Sequence, residues 1–270
     1  MIIKEINISE EYSIPGNATL TAYLREASAE TAKYVKNLDA MIVVPGGGYA
    51  FCSDREGEPI ALQFTTYNYV SFVLKYSVTP ARFPLSLTQL ACAVDYVKNH
   101  AEEFGVNKDR VFAVGFSAGG HLTGCLANFW SNIPTDYIGQ RKLDCGVKGV
   151  LLSYPVIDNL SHQGSFKNLL GIEDATCEKA QALSLEKSVN ENNPACFIWT
   201  TAKDNCVNPM ATVVYTAAYI QKGLPIESHI FPTGSHGGAT CDERVNFDCS
   251  QLVAAREWME LAHNFFKSLQ

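Results

Sequence analysis

Val111-Phe-Ala-Val-Gly-Phe-Ser-Ala-Gly-Gly-His121 is the stretch from which the fold of this chain is read. Val111 to Val114 is a short, fully apolar run of the kind that forms a buried strand, and it enters Gly115-Phe-Ser-Ala-Gly119 directly. A helix-like segment follows, from His121 to Trp130. G-x-S-x-G between a strand and a helix is the sequence form of a nucleophile elbow. The turn is so tight that the positions two before and two after the serine must lack bulk. The serine is held in a strained conformation with its hydroxyl above the sheet. The new helix aims its unsatisfied N–H groups, and the positive end of its dipole, at the same point. The pattern alone is weak, since a random chain of this length would hold one roughly one time in ten. The flanking strand and helix are what give it weight.

Working outward, elements of the same kind recur on both sides. Residues 1–8 and 18–24 alternate apolar and polar around Pro15-Gly16-Asn17, which predicts an antiparallel hairpin at one end of a sheet. Ala40–Val44, Val70–Tyr76, Gly149–Ser153, Ala195–Thr200 and Ile226–Phe231 have the composition of strands. Between them, Glu56–Tyr67, Ser86–Glu103 (closing at Gly105) and Ala211–Gln221 predict helices, and Arg244–Leu269 predicts a long last one. Residues 131–146 are polar and loop-like. Alternating strands and helices imply an α/β fold: a mostly parallel sheet of about eight strands with helices on both faces. Residues 1–270 are expected to form one domain, without repeat, linker or low-complexity tract. The segment 159–193 contains no clear strand, only short helical pieces at Phe166–Leu170 and Cys177–Leu183. It is too long for an ordinary connection, so a small partial cap over the sheet's carboxyl edge is expected there. Its few large apolar residues argue against a broad lid for long lipid chains. His162 and Phe166, together with Tyr49, are expected near the substrate pocket.

Composition bounds the partners. The 270 residues are 47% hydrophobic and 18% charged, as in globular proteins. Net charge is −7 with no run of Lys or Arg, which argues against nucleic acid and anionic membranes. No apolar run approaches a membrane span, and the N-terminus lacks the apolar core of a signal peptide. The nine cysteines are scattered without C-x-x-C, several inside apolar segments (Cys92, Cys125, Cys196), so neither a disulfide scaffold nor a zinc site is expected. A reducing, cytoplasmic setting fits that usage.

Parallel sheets bind ligands at the carboxyl ends of their strands, and the polar clusters lie there: Gly46–Tyr49, Ser117, Asp204 and His236. A serine hydroxyl needs a base, and the base needs an orienting carboxylate. Of the six histidines, His236 stands in the glycine-rich Thr233-Gly-Ser-His-Gly-Gly238 after the last strand, and it is the candidate base. His100, His229 and His263 suit packing or surface positions, His121 suits local packing one turn into the elbow helix, and His162 lies in the insertion. Both Asp158 and Asp204 keep the order Ser…Asp…His. Asp204 is preferred, because Asp-x-x-Val-x-Pro marks a tight turn before a helix. Gly46-Gly47-Gly48 after a strand lets backbone N–H groups approach a ligand. Gly47 and Gly48, with the N–H of Ala118, are the candidate oxyanion hole. No G-K-[ST] follows these glycines and no G-x-G-x-x-G is present, so neither nucleotide-binding loop applies.

Pro45-Gly-Gly-Gly-Tyr49, Ser53-Asp-Arg-Glu-Gly-Glu-Pro59, Gly115-Phe-Ser-Ala-Gly-Gly-His121, Ser153-Tyr-Pro-Val-Ile157, His162-x-Gly-Ser165, Asp204 and His236 together resemble an α/β-hydrolase of the acetyl-xylan/feruloyl esterase-like branch, close to proteins labelled lipase/esterase or xylanase-B-like. The likeness covers nearly the whole chain. It implies Ser117, His236 and Asp204 as nucleophile, base and orienting acid, an oxyanion hole from the glycine run, and no metal or organic cofactor. Pro45 stands where the neighbouring hormone-sensitive-lipase group has the histidine of HGGG, so that histidine's role does not transfer. Arg55, Glu56 and Glu58 belong to the likeness too. They either contact substrate or tie their loop down, the second being preferred. The expected activity is hydrolysis of short acyl esters, acetyl above all, on carbohydrate or similar alcohols. A prolyl-oligopeptidase-like peptidase is the alternative in another reaction class, although 270 residues leave no room for the propeller those enzymes usually add. A non-catalytic binding protein of the same fold is the third reading, against which all three triad members are present.

Overall fold

The computed structural model describes residues 1–269. Its strands are β1 (Ile2–Asn7), β2 (Thr19–Leu24), β3 (Leu38–Val44), β4 (Val70–Lys75), β5 (Val106–Phe116), β6 (Gly149–Ser153), β7 (Ala195–Thr201) and β8 (Ile226–Phe231). The helices are α1 (Ile8–Glu11), α2 (Glu58–Thr66), α3 (Leu85–Asn99), α4 (Ala101–Phe104), α5 (Ala118–Phe129), α6 (Gln163–Leu170), α7 (Glu178–Gln181), α8 (Met210–Gln221) and α9 (Trp258–Ser268). One eight-stranded sheet runs β1-β2-β4-β3-β5-β6-β7-β8. β2 pairs antiparallel with both β1 and β4, and every other pairing is parallel, so β2 alone is reversed. The predicted hairpin is there, with the short α1 inside its connection.

The period of two along each strand divides the interior into two layers. In β3, Ala40, Ile42 and Val44 face a core shared with α3, α5 and α8, whereas Met41 and Val43 face a second core against α2 and α9. β3 is buried along its whole length because helices cover both faces. β5, at the centre, is paired by Val111–Gly115 to β3 and by Phe112–Phe116 to β6. This holds the end of the strand, and hence Ser117, at mid-sheet. All nine cysteines are free, and no helix among the described residues is long and apolar enough to cross a membrane.

The long last helix is a correction. Only Trp258–Ser268 is one regular helix; residues 244–257 form turns with a single 3-10 segment at Val253–Ala255. Side-chain hydrogen bonds there stand in place of a helical ladder. Asn246 Nδ2 donates to the carbonyls of Gly238 and Asp242, and Arg244 bonds back to Asp242.

Candidate active site

The elbow's glycines are dictated by contact. A Cβ on Gly115 would lie 2.2 Å from the Gly119 carbonyl oxygen, and one on Gly119 would lie 2.2 Å from that of Val44. Between them Ser117 takes φ 51 and ψ −117, a conformation sparsely populated for any residue but glycine. It is held by its neighbours: Ser117 N–H donates to Ser153 O, and the Val156 N–H donates to Ser117 O, each at 3.0 Å.

The three residues expected to act together are together. His236 Nε2 lies 2.8 Å from Ser117 Oγ, and His236 Nδ1 lies 2.7 Å from Asp204 Oδ2. The other oxygen of Asp204 accepts the N–H groups of Cys206 and Val207, both at 2.9 Å. The carboxylate is thus fixed at the turn before α8, with its side chain 1% exposed. An acceptor at Nδ1 makes that nitrogen the N–H of the neutral imidazole, which leaves Nε2 to accept from the serine hydroxyl. Asp158 is elsewhere engaged: its Oδ1 accepts from Leu160 N and Ser161 N, an Asx turn opening the 159–193 segment.

The glycine loop stands opposite. Gly46 N–H is taken up by Glu56 Oε2 at 2.9 Å, so Gly47 and Gly48 are the two of the run left to face a ligand. Gly47 has φ 121, and a Cβ there would meet the Phe51 carbonyl oxygen at 2.1 Å. Asn168 Nδ2 donates to Gly48 O and fixes the loop against α6. Ala118 opens α5, so its N–H has no partner within the helix. Ser117 and His236 border a cleft of about 390 Å³ with Gly47, Gly48, Phe51, Arg55 and His162 among its walls.

The pocket residues divide. His162 caps α6, its Nδ1 accepting from Ser165 N–H at 3.2 Å, and it borders the cleft. Tyr49 and Phe166, expected at the pocket, are instead buried below it, at 2% and 1% exposure. They are held there by His121: Tyr49 Oη lies 2.8 Å from His121 Nδ1, and the Phe166 ring lies edge-on to the imidazole at 4.9 Å. His121 Nε2 lies 2.9 Å from Leu183 O, which can only accept, so Nε2 carries the proton and Tyr49 donates to Nδ1. One buried ring therefore joins the glycine loop, the elbow helix and the 159–193 segment. The other three histidines lie in aromatic stacks, His100 on Tyr96, His229 on Phe197 and His263 on Tyr67.

Burial lowers the pKa of His121 from 6.5 to about 4. The unfolded chain would bind a proton here below 6.5 while the folded protein stays neutral. The contribution is therefore whole above pH 6.5 and is lost as pH falls toward 4, about 3 kcal/mol in all. Unfolding in guanidinium at pH 7.5 and 4.5 tests this. The drop in stability between the two should be smaller in His121→Gln than in the wild type by about 2 kcal/mol. Equal drops would show that His121 is not the group involved.

Sequence reasoning did not assign Tyr154, although it follows β6 directly and carries φ 36. Its ring lies edge-on to His236 at 4.9 Å, and its hydroxyl donates to Glu56 Oε1 at 2.8 Å. A bulky residue forced into positive φ immediately after a strand end would have been the signal, and only the backbone reveals it.

The chain is similar to several known proteins. The family model described as BD-FAE matches residues 29–218. The chain is 34% identical over 205 residues to endo-1,4-beta-xylanase B of Butyrivibrio fibrisolvens, covering 74% of this chain and 32% of that one. It is 26% identical over 241 residues to an acetylxylan esterase of Xylanibacter ruminicola, covering 86% of this chain and 45% of that one. The chain thus spans less than half the length of these relatives. The crystal structure of an acetyl ester-xyloside bifunctional hydrolase from Caldicellulosiruptor lactoaceticus superposes with a TM-score of 0.80 at 30% identity, over 95% of this chain and 89% of that one. The fold is that of the α/β hydrolases.

Proposed function

Because this chain belongs to the BD-FAE family, we propose that it is a serine esterase that removes short acyl groups, acetyl above all, from carbohydrate or similar alcohols through an acyl-enzyme. The observation that carries this reading is the unbroken relay from Asp204 through His236 to Ser117 Oγ, at 2.7 and 2.8 Å, on a strained elbow that opens into a cleft. Ser117 Oγ attacks the ester carbonyl while its proton passes to His236 Nε2. Asp204 holds the tautomer and stabilises the imidazolium. Charge developing on the carbonyl oxygen is met by N–H groups of Gly47, Gly48 and Ala118, each such donor contributing about 2.7–4 kcal/mol in the transition state. The alcohol leaves with the proton from His236. A water molecule then gives its proton to His236, attacks the acyl carbon and frees Ser117. The reaction so written uses no metal or organic cofactor.

The substrate class follows from the walls and the relatives' activities. The cleft border is polar or small apart from Phe51, a residue 61% exposed whose ring suits the apolar face of a sugar. A long acyl chain finds little to cover it there. With His162 at the start of α6 bordering the cleft, we read the 159–193 segment as a small partial cap at its mouth, while the rest of that helix packs on the glycine loop. A panel of acetylated xylo-oligosaccharides, butyryl and feruloyl esters, p-nitrophenyl acetate and a dipeptidyl amide tests the reading. Acetyl esters should be turned over fastest. Faster cleavage of the amide would make the protein a peptidase, and no turnover with no labelling by a fluorophosphonate would make it a binding protein. In the same panel His162→Ala should change kcat/KM unequally, by roughly 3- to 10-fold more for the sugar ester than for p-nitrophenyl acetate, the worth of one hydrogen bond. An equal effect on both, or none, would make the segment purely structural.

A further inference from the structure

The reaction gives no part to the turn Asp54–Glu56, yet Arg55 bonds to the loop that carries His236 and Glu56 is linked to it through Tyr154. Glu56 is 5% exposed, and no Lys, Arg or His lies within ion-pair distance of it among the described residues. Its oxygens accept from two directions: Oε2 from Gly46 N–H at 2.9 Å, Oε1 from Tyr154 Oη at 2.8 Å. The Tyr154 oxygen in turn accepts the Ala239 N–H at 2.9 Å. Beside it at the surface, Arg55 Nη2 donates to Gly237 O at 2.9 Å, and Nε donates to Val245 O at 2.8 Å. His236 stands just before the two anchored residues, Gly237 and Ala239, with the Tyr154 ring against its imidazole.

The bonds are met in full by a carboxylate. Gly46 N–H can only donate, and the tyrosine oxygen receives the Ala239 N–H while its own proton points at Glu56. Both neighbours then donate, and a carboxylate accepts from both through its two oxygens. An amide at position 56 would turn its NH2 toward one of them. A buried charge without a contacting ion-pair partner is costly, and burial pushes the Glu56 carboxyl above its ordinary range. A group retained at that cost, between the two halves of the site, calls for a role beyond packing.

We propose that Glu56 and Tyr154 form a positioning strap, which sets the distance between the glycine-loop N–H donors and the His236 imidazole through Gly46–Glu56–Tyr154–Ala239. This rests on the esterase reading of Ser117 and His236. Glu56 touches no reacting atom; it acts through the two loops. Its carboxylate also lies close enough to His236 for the two to interact electrostatically. The groups around that imidazole are Asp204 and Cys206 from the turn before α8, Ser117 from the elbow, His162 from the start of α6, Tyr154 after β6, and Arg55 and Glu56 from this turn.

The test compares wild type, Glu56→Gln, Tyr154→Phe and the double variant on p-nitrophenyl acetate. Each is normalised to the fraction of sites that react with a fluorophosphonate, so that unfolded protein is not counted. Each single variant should lower kcat by roughly 10- to 100-fold, the scale of a misplacement near 1 Å, with KM within about threefold. The double variant should be no worse than about threefold below the poorer single one, because both cut the same strap. The acid limb of kcat/KM should move to lower pH in Glu56→Gln, since removing the charge favours neutral imidazole. A kcat within threefold of wild type in either single variant, losses that multiply in the double, or an unmoved acid limb would each overturn the strap. If Glu56→Gln does not fold, Tyr154→Phe alone decides, by its kcat at constant KM. A wild type without Ser117-dependent hydrolysis would remove the esterase reading and the strap with it, whereas an active wild type with indifferent variants removes the strap alone.

Discussion

Ser117→Ala should lower kcat/KM for p-nitrophenyl acetate by roughly 10⁴- to 10⁶-fold, the loss typical of removing a serine nucleophile from an intact triad. Ser117 Oγ has His236 Nε2 as its bonding partner and is not part of the backbone contacts that hold the elbow. The strain at φ 51 is carried by Ser117 N–H to Ser153 O and by Ser117 O itself, both of which alanine keeps. Melting temperature should therefore stay near that of the wild type while activity collapses. What remains would come from substrate held against the N–H donors and attacked by water. Labelling by a fluorophosphonate should disappear in parallel. Retention of more than a few per cent of wild-type turnover would mean that Ser117 is not the nucleophile.

Asp204→Asn should cost kcat roughly 10⁴-fold, through the tautomer of His236. In the wild type, Asp204 Oδ1 receives two N–H bonds, from Cys206 and Val207, and Oδ2 faces His236 Nδ1. An asparagine must keep its carbonyl oxygen on those two donors, so its NH2 points at Nδ1. That nitrogen then becomes the acceptor and the proton moves to Nε2, where it confronts the serine hydroxyl and removes the base. Asp158→Asn is the matched control. Asp158 Oδ1 accepts Leu160 N and Ser161 N, and an asparagine oxygen does the same. Its kcat should stay within about threefold of wild type, with stability changed by less than about 1 kcal/mol. Equal losses in the two variants, measured at the same pH with folding checked by circular dichroism, would withdraw the assignment of Asp204.

Much of the fold could be read from residues close to one another in the chain, because the rules that set it are local. Gly115 follows from a backbone clash with Gly119 in the same turn, and Ala40–Val44 of β3 shows its two buried faces as an unbroken apolar run. The parallel sheet follows from the alternation of such runs with helical spacing. Where that logic fails, long-range bonds outweigh local preference. Residues 244–257 show helical spacing, but Asn246 donates to the His236 loop at Gly238 O, and the Val245 carbonyl is taken by Arg55 Nε instead.

The composition and order of the candidate site were likewise legible: a serine on an elbow, a histidine in a glycine loop after the last strand, and an acid between them. The choice between Asp158 and Asp204 was different in kind, since both follow a strand and keep the order. Bond direction favours Asp204, whose carboxylate reaches across to His236, while that of Asp158 is turned onto its own loop. Tyr49 and Phe166 follow strands or open helices as pocket residues do, yet both are packed around His121, because a buried imidazole needs a donor at one nitrogen and an acceptor at the other. Glu56 and Tyr154 are 98 positions apart, and Arg55 and Gly237 are 182 apart. Steric rules act over a few bonds and leave their mark in adjacent residues. A hydrogen bond between loops depends on which strand ends lie side by side, and that is settled only when the sheet has closed in the order β3-β5-β6-β7-β8.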